Sequence, residues 1–326
     1  MKKNPIKNIV KVLLIILAVI AAGLGTLFIY NRVMTDKEAY LRVPIGQMIE
    51  IDGHDMCIYT EGEGEHTIVF LSGSGTPSPI LDFKSLYSKL TDEYRIVVIE
   101  KFGYGFSDVV DTERSFDTML REDREILEKA GIEAPFILCP HSMSGIEAIL
   151  WAQEYPDEVE ALIGLDMALP DAYDVLDLRG AERMERLSGL AVDMGFLRIV
   201  NVEDMFAAFS SPDLSESDKE IYRAIMRVKT CNTCIVRESE FIPQACEKVR
   251  SAPLPDIPTL MFVSDGTEVD VENWVEIEKA YAEGLTDAKV VELACGHYVH
   301  NIEQERIAEE IRGFIGSLDE GEKETE

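Results

Sequence analysis

The chain has 326 residues, 46% of them hydrophobic and 8% aromatic, enough apolar material for one large core. Asp and Glu number 61 against 31 Lys and Arg, a formal net charge of −30. So acidic a surface repels nucleic acid and anionic lipid, which excludes a nucleic-acid partner and reads as a solvated acidic face.

The N-terminus is a different material. Val12 to Tyr30 (VLLIILAVIAAGLGTLFIY) carries no charge over 19 residues. At about 1.5 Å per residue such a helix spans a hydrocarbon layer of roughly 30 Å. Lys2, Lys3, Lys7 and Lys11 precede the run, while Arg32, Lys37 and Arg42 follow it, mixed with Asp36 and Glu38. The excess of positive charge on the short side keeps that end cytoplasmic and places the remainder outside. A cleaved signal peptide is the rival reading, because Ala21, Ala22 and Gly23 are small. A signal's apolar region is about 7–15 residues, however, and this run continues through Leu27, Phe28 and Ile29. Residues 1–35 therefore read as a cytoplasmic stub and single-pass transmembrane anchor.

After a short linker, Gly46 to Thr60 reads as a hairpin, two β-type runs flanking the turn dipeptide Asp52-Gly53. Continuous apolar runs follow at Thr67–Leu71, Arg95–Ile99, Phe136–Cys139, Ala161–Leu165, Thr259–Val263 and Lys289–Leu293, as expected of strands buried on both faces. Helical patterns alternate with them at Asp82–Leu90, Phe116–Ala130, Ser144–Glu154 and Ile302–Leu318. That alternation implies an α/β fold, a mostly parallel β-sheet flanked by helices, over residues 42–318. Residues 167–255 hold no strand-like run, and stretches such as Ala181–Val192 and Asp218–Val228 look helical, which predicts a helical lid inserted in the domain. Residues 319–326 are expected to be a disordered acidic tail. The six cysteines lack the spacing of a zinc site or small disulfide scaffold, but a local disulfide among Cys231, Cys234 and Cys246 fits an extracellular domain.

The chemistry concentrates at Phe136 to Ala148, FILCPHSMSGIEA, where a short strand runs through Ser142 directly into a helical pattern. A serine on such a turn holds its hydroxyl above the sheet edge, and the adjoining helix N-terminus offers backbone N–H groups to a developing oxyanion. This segment resembles the nucleophile elbow of the α/β-hydrolase family, G-x-S-x-G, often G-H-S-M-G-G. Pro140 and Ser144 depart from it, standing where the two glycines would be. Leu71-Ser72-Gly73-Ser74-Gly75-Thr76 occupies the place of the family's His-Gly-x-Gly loop. Glu100 to Asp108 (EKFGYGFSD) resembles its structural D-x-x-G-x-G-x-S turn, with Glu for Asp. Gly296-His297-Tyr298 matches its G-H-[FY] loop.

The resemblance implies that Ser142 is a nucleophile, His297 its general base, and the backbone N–H groups of Ser74 and Met143 an oxyanion hole. Any carboxylate at the right strand end can orient the imidazole. Glu268 and Asp166 are the two main candidates, with Asp265 third; all keep the order serine, acid, histidine. The implied activity is that of a serine hydrolase cleaving an ester, thioester or related acyl bond. Serine rather than aspartate at the elbow argues against epoxide hydrolase and dehalogenase chemistry. No metal or organic cofactor is called for. The implied partners are a small-molecule or lipid acyl substrate and, through the N-terminal helix, a membrane with the catalytic domain outside. Apolar lid residues, Met194, Phe196, Leu197, Met205, Phe206 and Phe209, either line an acyl pocket or pack against the sheet. The alternative to hydrolysis is a small-ligand-binding or receptor protein on a hydrolase scaffold.

Overall fold

The computed structural model describes residues 5–201, 203 and 206–325, so Met205 lies outside the described residues. Eight strands form one sheet: β1 (Gln47–Ile51), β2 (His54–Glu61), β3 (Thr67–Leu71), β4 (Arg95–Glu100), β5 (Phe136–Ser142), β6 (Val159–Met167), β7 (Thr259–Val263) and β8 (Ala288–Glu292). Their spatial order is β1-β2-β4-β3-β5-β6-β7-β8. The hairpin β1–β2 and the β2–β4 pair are antiparallel, and all other neighbours are parallel. Asp52 and Gly53 both take positive φ, 52° and 81°, which gives the hairpin a turn whose twist matches its strands. Strands β3 and β7 are buried at every position, as continuous apolar runs require.

The chain passes from β3 out to β4 and returns on the other side of β3 as β5. In open α/β sheets a crevice forms beyond the strand ends where the order reverses in this way. The loop after β3 and the turn after β5 both open into that crevice.

Helix α1 (Pro5–Lys37) contains the apolar N-terminal run. By length and composition it suits a bilayer crossing, and its apolar window is wholly unburied, so it is not a core helix of this domain. Helices α2 (Pro79–Asp82) and α3 (Lys84–Tyr87) replace the single helix expected over 82–90. The break falls at Phe83, whose ring packs on Phe70 and His300 at 5.1 and 4.8 Å between centroids, while Asp82 points into the core toward His300. Helix α4 (Phe116–Lys129) is capped by Ser115, and α5 (Ser144–Glu154) is buried from Ser144 to Ala152.

Between β6 and β7, the described residues include the α-helices α6 (Pro170–Tyr173), α7 (Leu178–Asp193), α8 (Glu216–Lys229) and α9 (Thr233–Ser251). A reciprocal cap between Ser215 and Asp218 opens α8. Helix α10 (Trp274–Glu283) follows β7, and α11 (Val299–Ile302) and α12 (Gln304–Thr325) follow β8. The expected disordered tail is instead a continuation of α12 through Thr325. Asp319 is held there by His66, Oδ1 to Nε2 2.9 Å, and Phe314 and Ile315 pack into the core one turn earlier. All six cysteines are free thiols, so the local disulfide expected among Cys231, Cys234 and Cys246 is not formed. Cys234 is instead buried, its thiol donating to the Val110 carbonyl at 3.4 Å.

Candidate active site

Strand β5 runs to Ser142 and α5 starts at Ser144, so the backbone reverses within one residue. Ser142 pays for that turn with a left-handed φ of 53°, uncommon for a residue with a Cβ. Two close approaches fix the turn. A Cβ on Gly145 would lie 2.6 Å from the Ala168 carbonyl oxygen and 2.9 Å from Met167 Cβ, so α5 can pack on β6 only with glycine there. A Cβ on Gly73 would lie 2.6 Å from Ser142 Cβ, so the loop carrying Ser74 runs directly against the serine. Met143 occupies the first position of the turn into α5 and is buried.

The departures from the elbow motif are explained together. Leu71 stands opposite Pro140 in the β3–β5 ladder, and Pro140 has no N–H to give. The Ser144 hydroxyl reaches the Leu71 carbonyl at 2.6 Å and accepts from the His141 N–H at 3.1 Å. A side chain thus bonds the carbonyl at the level of the proline and ties the turn to β3.

His297 follows β8 and precedes α11. Its Nδ1 lies 2.6 Å from Asp166 Oδ2, with the Asp166 side chain fully buried and the imidazole 14% exposed. A proton on Nδ1 makes this a hydrogen bond and leaves Nε2 as a free acceptor. The other oxygen of Asp166 accepts from the Ser264 N–H at 2.7 Å and from Trp274 Nε1 at 2.9 Å. Asp166 itself is held at φ 47° at the end of β6. The Trp274 ring meets the His297 ring edge-on at 5.6 Å. Ser142 and His297 line one cavity of about 150 Å3, whose other walls are Ala168, Ala172, Tyr173, Leu176, Val269–Val271 and Trp274. A larger open cleft, about 850 Å3, runs along α4 and holds none of these groups.

The other acid candidates do different things. Glu268 Oε2 accepts from the backbone N–H of His297 at 2.9 Å, and its carboxyl fills the space a Cβ on Gly296 would need. It positions the loop rather than the ring. Asp265 is exposed and bonds locally to the Thr267 N–H and hydroxyl at 2.9 and 2.6 Å, which holds its carboxyl below the usual range.

Three further groups surround the site: His141, which flanks Ser142 in the sequence, Glu278, and the pair His300 and Asp82, whose histidine is the local competitor to His297 in the loop after β8. His141 is buried; its Nε2 donates to the His297 carbonyl at 3.1 Å, and its ring lies 4.6 Å from that of His297. Burial first, and then the nearby His297 and His300, hold His141 well below an ordinary histidine, so it is neutral. Glu278, one turn beyond Trp274 on α10, is buried beside Asp166; desolvation and the Asp166 charge push its carboxyl well up, so it carries a proton. His300 and Asp82 form a second, fully buried pair, Nε2 to Oδ2 2.8 Å, and Tyr222 of α8 donates to the same carboxylate at 3.0 Å. Among the described residues, the lid residues Met194, Phe196, Leu197, Phe206 and Phe209 are absent from the cavity walls. Leu197 and Phe209 belong to a separate core with Leu81, Tyr222 and Met226, and Phe206 packs against it.

No family model matches the chain. It is 35% identical over 317 residues to the uncharacterized protein YbdG of Bacillus subtilis strain 168, covering 92% of this chain and 96% of that one. A putative epoxide hydrolase variant from Pseudomonas aeruginosa superposes with a TM-score of 0.65 at 17% identity, over 84% of this chain and 97% of that one. A putative ancestral haloalkane dehalogenase superposes with a TM-score of 0.64 at 20% identity, over 84% and 99%. These likenesses establish the fold as that of the α/β hydrolases.

Proposed function

Since the chain belongs to the family of Bacillus subtilis YbdG and carries an α/β-hydrolase fold, we propose that it is a serine hydrolase acting on a carboxylic ester, thioester or related acyl bond. The observation that carries this reading is the His297–Asp166 pair at 2.6 Å, whose imidazole shares one cavity with a serine held at φ 53°.

Ser142 Oγ attacks the substrate carbonyl carbon while His297 Nε2 takes the hydroxyl proton. Asp166 keeps the imidazole in the Nδ1–H tautomer and stabilises the imidazolium. The Ser74 and Met143 N–H groups receive the tetrahedral oxyanion, an interaction typically worth about 2.7–4 kcal/mol per donor. His297 returns the proton to the leaving group, and water reverses the sequence on the acyl-enzyme. Solved neighbours whose names say epoxide hydrolase or haloalkane dehalogenase are 16–20% identical and bear on fold alone. A serine at the turn directs this chain to acyl transfer. Helix α1 is read as a single-pass bilayer anchor because its apolar window is unburied, and with its N-terminus cytoplasmic because Lys2, Lys3, Lys7 and Lys11 precede the run.

Labelling of the full chain with a fluorophosphonate probe tests the proposal without the natural substrate. The parent is expected to label covalently and Ser142→Ala not at all. A folded parent that fails to label, yet binds small esters saturably without turnover, would move the assignment to a binding protein on the same scaffold.

A further inference from the structure

The end of α1 is fastened to the helices between β6 and β7. Asn31 is the first residue after the apolar run and is 5% exposed. Its Nδ2 donates to the carbonyls of Val192 and Asp193, at 3.3 and 3.1 Å, at the C-terminus of α7. Arg198 returns the contact: Nε donates to Asn31 Oδ1 at 2.6 Å, Nη2 to Thr35 Oγ1 at 3.0 Å, and Nη1 pairs with Glu38 at 2.9 Å. Arg227 of α8 pairs with the same Glu38 at 3.0 Å. Gly195 permits the closest approach. Its φ is +92°, and a Cβ there would lie 2.7 Å from Asn31 Cβ and 3.2 Å from the Leu27 carbonyl oxygen.

Leu27 lies inside the apolar run, three residues before Tyr30, or about 4.5 Å along the helix axis. Gly195, which opens the turn of residues 195–200, is therefore level with the last turn of the run, and Arg198 in the same turn reaches Asn31 just beyond it. Its side chains are sorted against water. The Arg198 side chain is 4% exposed and turned inward, whereas Phe196, Ile199 and Val200 are 38, 65 and 49% exposed. An aqueous turn would present the arginine and hide the isoleucine; this one does the reverse.

We propose that residues 195–200 form a foot that sits in the bilayer crossed by α1, with Phe196, Ile199 and Val200 at the boundary between headgroups and acyl chains. The inference rests on the reading of α1 as a bilayer span. The occupant of the apolar face is fixed by continuity, because the turn that carries it is bonded through Arg198, and packed through Gly195, to a helix end that is itself at the hydrocarbon edge. Elements that lie in this boundary typically bury apolar side chains about 5–10 Å deep, which matches the level of Leu27. The same insertion between β6 and β7 also supplies Ala172, Tyr173 and Leu176 to the cavity wall.

The test uses the full chain reconstituted in phosphatidylcholine vesicles, with and without bromine on the acyl chains. Ile199→Trp and, separately, Val200→Trp place a reporter on exposed positions, where folding is undisturbed; native Trp151 and Trp274 are buried and set the baseline. Leu17→Trp, in the middle of the apolar run, reports insertion of α1 itself. The added emission of both foot variants is expected to fall about twofold or more in brominated vesicles, as for Leu17→Trp. Quenching of Leu17→Trp with none at 199 or 200 would overturn the foot, leave the anchor standing, and free the face for a protein partner. No quenching at any of the three would overturn the span and the foot with it.

Discussion

At the scale of single residues, the site depends on which carboxylate meets the imidazole ring and which meets the backbone. Asp166 is buried and accepts from three donors, including His297 Nδ1. Glu268 is exposed and bonds only the His297 N–H in the site. Asp166→Asn presents the ring with an amide in place of one oxygen and favours the wrong tautomer. In the proposed triad such a change is expected to lower turnover by about 10⁴-fold. Glu268→Gln keeps an acceptor for the backbone N–H and is expected to cost less than about tenfold. Rates of fluorophosphonate labelling for the two variants check the contrast directly; equal losses would mean the loop, rather than the Asp166 carboxylate, controls the ring.

Elements show why part of this was legible in the sequence and part was not. Strands β3 and β7 are short apolar runs buried on both faces, so their positions and the parallel sheet follow from composition alone. The turn after β5 was legible from strand, serine and helix in immediate succession, and the loop after β8 from Gly296-His297. Which carboxylate meets the ring was not, because Asp166 and Glu268 both end up within reach of His297 and only the third dimension separates ring from backbone. Trp274 and Glu278 were invisible for the same reason: α10 looks like an ordinary amphipathic helix until its face meets Asp166. The fracture of the 82–90 helix reflects a tertiary contact, Asp82 with His300, that no local propensity encodes.

Packing between elements makes its own prediction at Gly145. That residue brings α5 against β6, and a methyl group there meets a backbone carbonyl rather than a movable side chain. Gly145→Ala is therefore expected to destabilise the domain by about 1–3 kcal/mol, the usual range for overpacking, and to shift Ser142 with it. Chemical denaturation would register the loss, and labelling should fall even where the variant remains folded. An unchanged denaturation midpoint would mean that β6 yields more readily than its register with β5 and β7 implies.

On the scale of the whole molecule, the core holds protons that an unfolded chain would release. Glu100, at the end of β4, is buried and accepts from the Phe106 N–H at 2.7 Å; desolvation pushes its carboxyl up to about 7. Glu238 of α9, bonded to the Tyr104 hydroxyl at 2.7 Å, is likewise raised to about 7 by burial. Burial holds Asp123 and Glu278 well above ordinary carboxyls. For each, the native state binds a proton more tightly than the unfolded state, so its contribution is complete below the unfolded pKa near 4.5 for Glu, and 3.8 for Asp, and is lost as pH rises through the folded value. For Glu100 and Glu238 that loss falls between about pH 4.5 and 7 and amounts to on the order of 3 kcal/mol each.

His141 acts in the opposite sense, since a depressed histidine gains stability with pH, but only up to its unfolded value of 6.5. Four raised carboxyls outweigh it, and the net charge of −30 adds repulsion as they ionise. The domain is therefore expected to melt at a higher temperature at pH 5.5 than at pH 8. In Glu100→Gln, which cannot ionise, the fall between those two values should be visibly shallower than in the parent. A parent that instead melts higher at pH 8 would mean that water reaches these carboxyls and ionises them in the native state, and that the buried charges around Lys101 and Glu147 form a hydrated cluster rather than a dry one.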